Sequence, residues 1–417
     1  MLKVLETFSG VGAQAKALER LNLEYEVVAT ADWDINAIIA YDIIHHGPQE
    51  LSKYNNLTKE ELAGQLEKYT VSADGKEPYG KEKYKYINTE ILKSVLFAIE
   101  RSKNLCSITD MTYEDIPNDL DLLTYSFPCQ DLSIAGLWHG NKSGIDRDAH
   151  NRSGMLWEVE RLLKECVENE RNVPKFLLME NVSNILSVMH RNNFAEWVKY
   201  LESIGYYNKI YTLNAQNFGI PQNRTRVYML SILIGNDSSK KKKLNTFFKK
   251  HNLEDAKYAK SLKYLNRLEV KDILKDDYSN DMYKKEANES QLNDTPSRRK
   301  IVEENDHIVD YNTTEYIRLF KTITTKQDRN PNSGVVPYDN SKDGKLKYRY
   351  LTARECFIAM GFDESDFDLL MDNNKTIGKN KQLFSLGKLV KMAGNSIVVN
   401  VLEAIFTQVD YINQHIL

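Results

Sequence analysis

The first 34 residues constrain the chain most. "LKVLETF" (2–8) is an apolar run of strand length, a glycine-bearing turn follows, and "AQAKALERLNL" (13–23) puts Ala13, Ala17, Leu18 and Leu21 on one helical face. "EYEVVATAD" (24–32) is a second strand that ends at Asp32-Trp33. Strand, glycine turn, helix and strand in succession predict a βαβ unit with parallel strands. Short apolar runs at 121–127, 175–181 and 226–234 continue the rhythm, with the helical stretch "GMLWEVERLLKECVENE" between two of them. The expected fold class is α/β, a doubly wound, Rossmann-like parallel sheet.

The alternation covers only part of the 417 residues. A charged, Tyr- and Lys-rich insertion at 47–105 interrupts it and reads as helical and peripheral. After about residue 235 the composition turns polar, then becomes apolar again near the C-terminus. The expected domains are therefore 1–235 plus 380–417 as the α/β body, and 236–379 as a smaller, irregular domain with its hinge. Formal net charge is −3, so any nucleic-acid surface must be local. Cys106, Cys129, Cys166 and Cys356 lie far apart without ligand spacing, which argues against a disulfide framework and against a metal site. No basic n-region precedes an apolar stretch, and no run approaches 18 apolar residues; a cytoplasmic, non-membrane protein is expected.

Gly10 and Gly12 follow the first strand, where glycine lets the backbone turn tightly and approach a ligand. Asp32 can accept ribose hydroxyls, and Trp33 offers a flat face to an adenine ring. This much fits an NAD-dependent oxidoreductase as well as a nucleoside methyl donor. Asp110, placed to take an adenine amino group, tilts the reading towards S-adenosylmethionine.

Ligands of open α/β sheets bind beyond the carboxyl ends of the strands. Three such ends carry unusual groups: Cys129 after Phe127-Pro128, Glu180 closing an apolar strand, and Gln222, Arg224 and Arg226 alternating in "QNRTR". Residues two apart in an extended segment share a face, so the last three are expected to line one surface. Alone, Cys129 reads as a small core residue and Glu180 as a helix cap. Together they suit attack on a cytosine ring: thiolate addition at C6 activates C5, a carboxyl partners N3, and a guanidinium steadies O2.

These residues resemble the DNA (cytosine-5) methyltransferase family, with motifs in family order over most of the chain. "FSGVG" looks like its cofactor glycine motif and "DW" its ribose and adenine contacts. "SFPCQ" looks like the nucleophile motif, "MENV" the acid motif and "QNRTR" the Gln-x-Arg-x-Arg motif; "LTARECFIAMGF" and "AGNSIVVN" resemble the last two. The resemblance implies a catalytic group of Cys129, Glu180, Arg226 and Arg224. It implies an S-adenosylmethionine pocket of Phe8, Ser9, Gly10, Val11, Gly12, Asp32, Trp33, Asp110, Met111, Pro128, Leu156, Asn395, Ser396 and Ile397. It makes 236–379 a target recognition domain and Gln130, Ser133, Arg152, Gln222, Thr322 and Ile323 DNA-binding. Ile323 stands where the family usually has Leu, and the loop after Cys129 is longer than in compact members. That loop is expected to close over a flipped base, with Ser133, Lys142, Arg147 and Arg152 towards phosphates.

The expected activity is methylation of C5 of a flipped-out cytosine in a short duplex DNA sequence, through a covalent link from Cys129 to C6. The expected partner is double-stranded DNA, the existence of a separately encoded cognate restriction endonuclease being left open by the sequence, and the enzyme is expected to be a monomer that associates with the nucleoid of a prokaryote. A tRNA cytosine-5 methyltransferase with the same motifs and a non-catalytic DNA-binding relative are the alternatives. The recognition sequence itself is not readable from the residues.

Overall fold

The computed structural model describes residues 1–128, 132, 145, 147, 152–328, 332–379 and 381–417, with the main chain alone at 152 and 153. In chain order its first strands are β1 (Leu2–Thr7), β2 (Tyr25–Ala31), β3 (Leu122–Tyr125), β4 (Phe176–Val182), β5 (Tyr206–Asn214), the two-residue β6 (Gln222–Asn223) and β7 (Thr225–Leu233). Six of them form one sheet in the order β2-β1-β3-β4-β7-β5. β1 runs parallel to β2 and β3, and β3 parallel to β4.

The sheet is nevertheless mixed, which corrects the expectation of parallel strands throughout: β7 is antiparallel to β4. The cause is the link between β5 and β7. It holds a single 3-10 turn, Ala215–Phe218, and no crossover helix. A strand that re-enters the sheet without a crossover must run back from the edge where the chain left.

The chain divides into two compact units, one of residues 1–213, 225–259 and 403–417, the other of 214–224 and 260–402. This cut differs from the sequence segmentation at 214–224, 236–259 and 380–402, and the contacts explain why. In the helix Ser238–Lys250, Phe248 stacks on Tyr207 and Phe247 on Tyr411, all in the larger unit. Gln222 and Arg224, by contrast, bond to residues 323, 359, 394 and 396 of the smaller one.

In the larger unit, α1 (Ala13–Arg20) and α2 (Ile35–His46) follow β1 and β2. α2 is apolar nearly all round and buried over ten of its residues, so both sides need cover. The insertion supplies part of it. It folds into α3 (Lys59–Leu66) and α4 (Thr89–Arg101), and Arg101 forks onto the fully buried Asp42 carboxylate of α2 at 2.6 and 2.8 Å. Its Ser72 N–H donates to Trp33 O at 2.6 Å, and Ser72 O accepts from Ile35 N at 3.0 Å. The 47–105 segment is therefore helical as expected, but it is joined to the body rather than peripheral.

The smaller unit carries a three-stranded antiparallel sheet of Gln291–Asn293, Lys345–Arg349 and Val336–Pro337. Arg349 and Glu355, both fully buried, form a bidentate pair at 2.8 Å on each arm. Arg354 is buried too, and meets Glu286, Glu364 and Asp368. Leu386–His415 is long and apolar enough to cross a membrane, contrary to the reading of the sequence, but 83% of that window is buried inside the protein. It is covered like a core helix.

Candidate active site

The turn after β1 is held open by its own backbone. Phe8, Gly10 and Gly12 all have positive φ, at 55°, 56° and 81°. For glycine this is free; for a bulky aromatic such as Phe8 it is a strained conformation of the kind that persists at functional sites. Phe8 N donates to Ala31 O at 2.6 Å, and Gly10 N to Asp32 Oδ2 at 2.9 Å, while Asp32 Oδ1 accepts from Asp34 N at 2.9 Å. The carboxylate expected to meet the ribose thus also ties the turn to the end of β2. A Cβ on Gly10 would meet nothing within 4 Å, whereas one on Gly12 would lie 2.0 Å from His45 Nε2 and 2.8 Å from Tyr41. The turn is open above Gly10 and closely packed beneath Gly12.

Beneath the turn lie ionisable groups that the sequence pattern does not flag. Glu6 of β1 is fully buried; burial pushes its carboxyl up to about 8, against weaker help from Tyr41 and the Ala15 amide. Burial also lowers His45 to about 4, although its Nε2 lies 3.0 Å from Val11 O. Ser9 and Val11 are buried within the turn, and Trp33 is half-buried. Asp110 is exposed, while Met111 is buried in the core and its carbonyl accepts from Arg161 at 2.9 Å. Leu156, fully buried, opens the helix Leu156–Glu168.

The second cluster sits where β4 ends and β7 begins. Glu180 and Arg226 are diagonal neighbours across the antiparallel pair, Glu180 opposite Tyr228 and Arg226 opposite Val182. Arg226 Nε lies 3.4 Å from Glu180 Oε1, and the two side chains are 17% and 12% exposed. Most of each is shielded from water, which strengthens their attraction.

The adjacent asparagines, which the reading of the sequence missed, hold the segment around the expected nucleophile. Asn181 Nδ2 donates to Phe127 O at 3.0 Å, and its Oδ1 accepts from Val182 N at 2.8 Å. Asn184 Nδ2 donates to Leu132 O at 2.6 Å. Phe127 and Leu132 bracket Cys129 in the chain. Cys129 itself, with Gln130, Ser133 and Lys142, lies outside the described residues, as does the Arg152 side chain; Pro128 is half-buried. Arg147, expected to turn towards phosphates, is exposed and also has partners within the protein. It pairs with Glu160 at 2.8 Å and stacks 3.7 Å above the Trp157 ring.

"QNRTR" is not one extended segment. Arg224 N donates to Gln222 O at 2.9 Å, a tight turn that breaks the chain between β6 and β7. Gln222 and Arg224 consequently bond within the smaller unit, and the expected alternation of three side chains along one extended segment does not hold. Gln222, expected at DNA, is fully buried, with its Nε2 on Ala359 O at 2.8 Å and its Oε1 accepting from Ile323 N at 3.1 Å. Arg224, expected in the catalytic group, is 4% exposed and donates to Ile323 O, Gly394 O and Ser396 O. Thr322 is half-buried and Ile323 fully buried; Asn395 is exposed, Ser396 and Ile397 buried. Among the described residues no group of three or more His, Cys, Asp or Glu could hold a metal ion.

The family model for C-5 cytosine-specific DNA methylases matches residues 85–410. This chain belongs to that family. It is a DNA (cytosine-5)-methyltransferase. Two relatives extend the likeness through the glycine turn that precedes residue 85. The type II methyltransferase M2.ScrFI of Lactococcus lactis subsp. cremoris is 34% identical, over 98% of this chain and 99% of its own length. The orphan methyltransferase M.SssI of Spiroplasma monobiae is also 34% identical, over 98% of this chain and 97% of its own. Among solved structures, the S. pombe Dnmt2 methyltransferase shares the fold with a TM-score of 0.57 at 18% identity, over 99% of both chains. The Entamoeba histolytica methyltransferase EhMeth also matches at 0.57, with 15% identity and 99% of both chains covered.

Proposed function

We propose that this methyltransferase modifies C5 of a cytosine swung out of duplex DNA, with S-adenosylmethionine as donor and Cys129 as covalent nucleophile. The observation that carries the reading is the shielded Glu180–Arg226 pair, beside the Phe127-Pro128 segment that leads into Cys129.

C5 of cytosine is a poor nucleophile. Attack by the Cys129 thiolate forms an S–C6 bond and moves electron density to C5, while Glu180 gives a proton or hydrogen bond to N3 so that no full negative charge builds on the ring. Arg226 keeps Glu180 oriented and steadies the ring's O2. Once C5 carries the methyl group, its proton passes to solvent water as the electrons of that C–H bond form the C5–C6 double bond and expel the Cys129 thiolate, and N3 returns its proton to Glu180. A free thiol with a pKa of roughly 8.5 is only a few per cent ionised at neutral pH, so the arginine also helps to favour the reactive form. A base inside the helix cannot present C6 to the sulfur, so it must leave the stack.

The residues present fit the donor. The space above Gly10 is open, the Asp32 carboxylate ends β2 next to it, and the half-buried Trp33 is available to an adenine ring. S-adenosylmethionine supplies an electrophilic methyl group when bound. Phe8 to Gly12, Asp32 and Trp33 would hold its nucleoside end, and the Gly12 packing on His45 keeps their turn in place.

Relatives described as type II and orphan methyltransferases support duplex DNA of defined sequence as the substrate, and a restriction partner encoded separately is compatible with the former. The test is expression in cells that lack cytosine methylation, followed by bisulfite sequencing, with labelled-methyl transfer to duplex DNA and tRNA measured side by side. Methylation of one short DNA sequence is expected. Transfer to tRNA alone, or to neither, overturns the reading.

A further inference from the structure

Gln222 and Arg224 end on the same residue, Ile323. The Ile323 N–H donates to Gln222 Oε1 at 3.1 Å, and Ile323 O accepts from Arg224 Nη1 at 3.0 Å. Both main-chain polar groups of one residue are thus held by side chains of one short motif. The register explains how. β6 pairs in parallel with Phe320–Lys321, Gln222 beside Phe320, which brings the motif alongside the turn that follows. Thr322 Oγ1 donates to Asn223 O at 2.7 Å, and Asn332 Nδ2 to Thr322 O at 3.1 Å.

The turn is also braced from a second side. Arg224 Nη2 donates to Gly394 O at 3.1 Å and Ser396 O at 2.9 Å. A Cβ on Gly394 would lie 2.6 Å from the carbonyl carbon and oxygen of Thr324 and from Thr325 N, so residue 394 packs directly on the backbone after Ile323. Neither Gln222 nor Arg224 has surface left to offer: they are 0% and 4% exposed.

We infer that Gln222 and Arg224 are positioning residues that set the main chain of the Thr322–Ile323 turn, and through it the discrimination between DNA sites, without touching DNA or the reacting ring themselves. The inference rests on the proposed action on duplex DNA and on the family resemblance, which places Thr322 and Ile323 at that DNA. A group that reads bases must be held to within about 0.5 Å by residues whose own geometry is locked. Both side chains meet that condition. Removing either leaves buried main-chain groups unpaired, which shifts the turn rather than the chemistry.

The test compares Arg224→Lys, Gln222→Met and Gly394→Ala with the parent enzyme, on its mapped duplex site and on duplexes with one base pair changed. The readout is the ratio of kcat/KM between the two duplexes. That ratio cancels the concentration of folded enzyme, so partial unfolding does not imitate the effect. A fall of about tenfold in discrimination is expected for each variant, the scale of one misread base pair, with KM for DNA rising more than kcat falls. Gly394→Ala leaves both motif side chains intact and presses on the same turn, so it carries the test if Arg224→Lys does not fold. A lower kcat with discrimination unchanged places the two residues in the chemistry and overturns the inference. Discrimination unchanged in all three variants overturns it as well. If the parent enzyme methylates no duplex cytosine, the proposed function falls first, and that result is distinct from either of these.

Discussion

Arg226 reaches Glu180 diagonally, with its Nε 3.4 Å from Oε1, because β7 runs antiparallel to β4. Arg226 is the second residue of its strand and Glu180 the fifth of its own. Were β7 parallel to β4, its first residues would lie at the far end of the sheet. The reversal of one strand therefore assembles the acid–arginine pair.

Glu180→Gln keeps the size of the side chain but removes its proton. Single-turnover methylation is expected to slow by about 10²–10⁴-fold, the usual worth of a positioned acid. Rapid-quench measurement with labelled donor checks it, and an unchanged rate would take Glu180 out of the reaction.

Asn181→Leu and Asn184→Ala each remove one anchor from the segment that carries Cys129. Misplacing a reacting group by about 1 Å can cost on the order of a hundredfold. Covalent trapping on duplexes containing 5-fluorocytosine is expected to slow by about ten- to a hundredfold, with S-adenosylhomocysteine affinity preserved. Trapping at the parent rate would show the anchors to be dispensable.

Gly12→Ala puts a methyl group 2.0 Å from His45 Nε2 on a residue with φ of 81°. The left-handed backbone alone costs about 1–2 kcal/mol for a residue with a Cβ. Loss of cofactor binding in calorimetry, with a lower Tm, is the expected outcome. Gly10→Ala, with a positive φ but open space, should bind more weakly than the parent yet better than Gly12→Ala.

Glu6 sets a pH dependence whose direction follows from its raised pKa. Folded, the carboxyl holds its proton up to about 8; its ordinary value is 4.5. Its contribution to stability is therefore full below about 4.5, falls as pH rises through that window, and levels off above about 8. The slope is at most about 1.4 kcal/mol per pH unit. Glu6→Gln should flatten this part of the profile, so that its Tm falls less than that of the parent between pH 6 and 8. Parallel curves for the two proteins would refute the assignment.

Some of this site is legible in the chain and some is not, for physical reasons. Glu180 stands out because a carboxylate closing an apolar strand has no place in a core. The glycine turn is legible because Gly10 and Gly12 do what only glycine does cheaply. The fates of Gln222 and Arg224 are not, because their partners lie 101, 99 and 170 residues away and local alternation carries no information about them. The partners of Arg147 escape as well, since nothing in its loop sequence points to Glu160 or to the Trp157 ring. The antiparallel β7 escapes too, since an apolar run of nine residues looks alike in either direction.

The bridge from Ser72 to Trp33 and Ile35 bears on how the enzyme can be re-engineered. Trimming residues 47–105 to obtain a minimal version would cut away a strut of the Trp33–Ile35 segment along with the cover of α2. A tag or fused module is best kept out of residues 73–77 too, because Gly75 N–H and Glu77 O hold the Ser72 hydroxyl that steadies this strut.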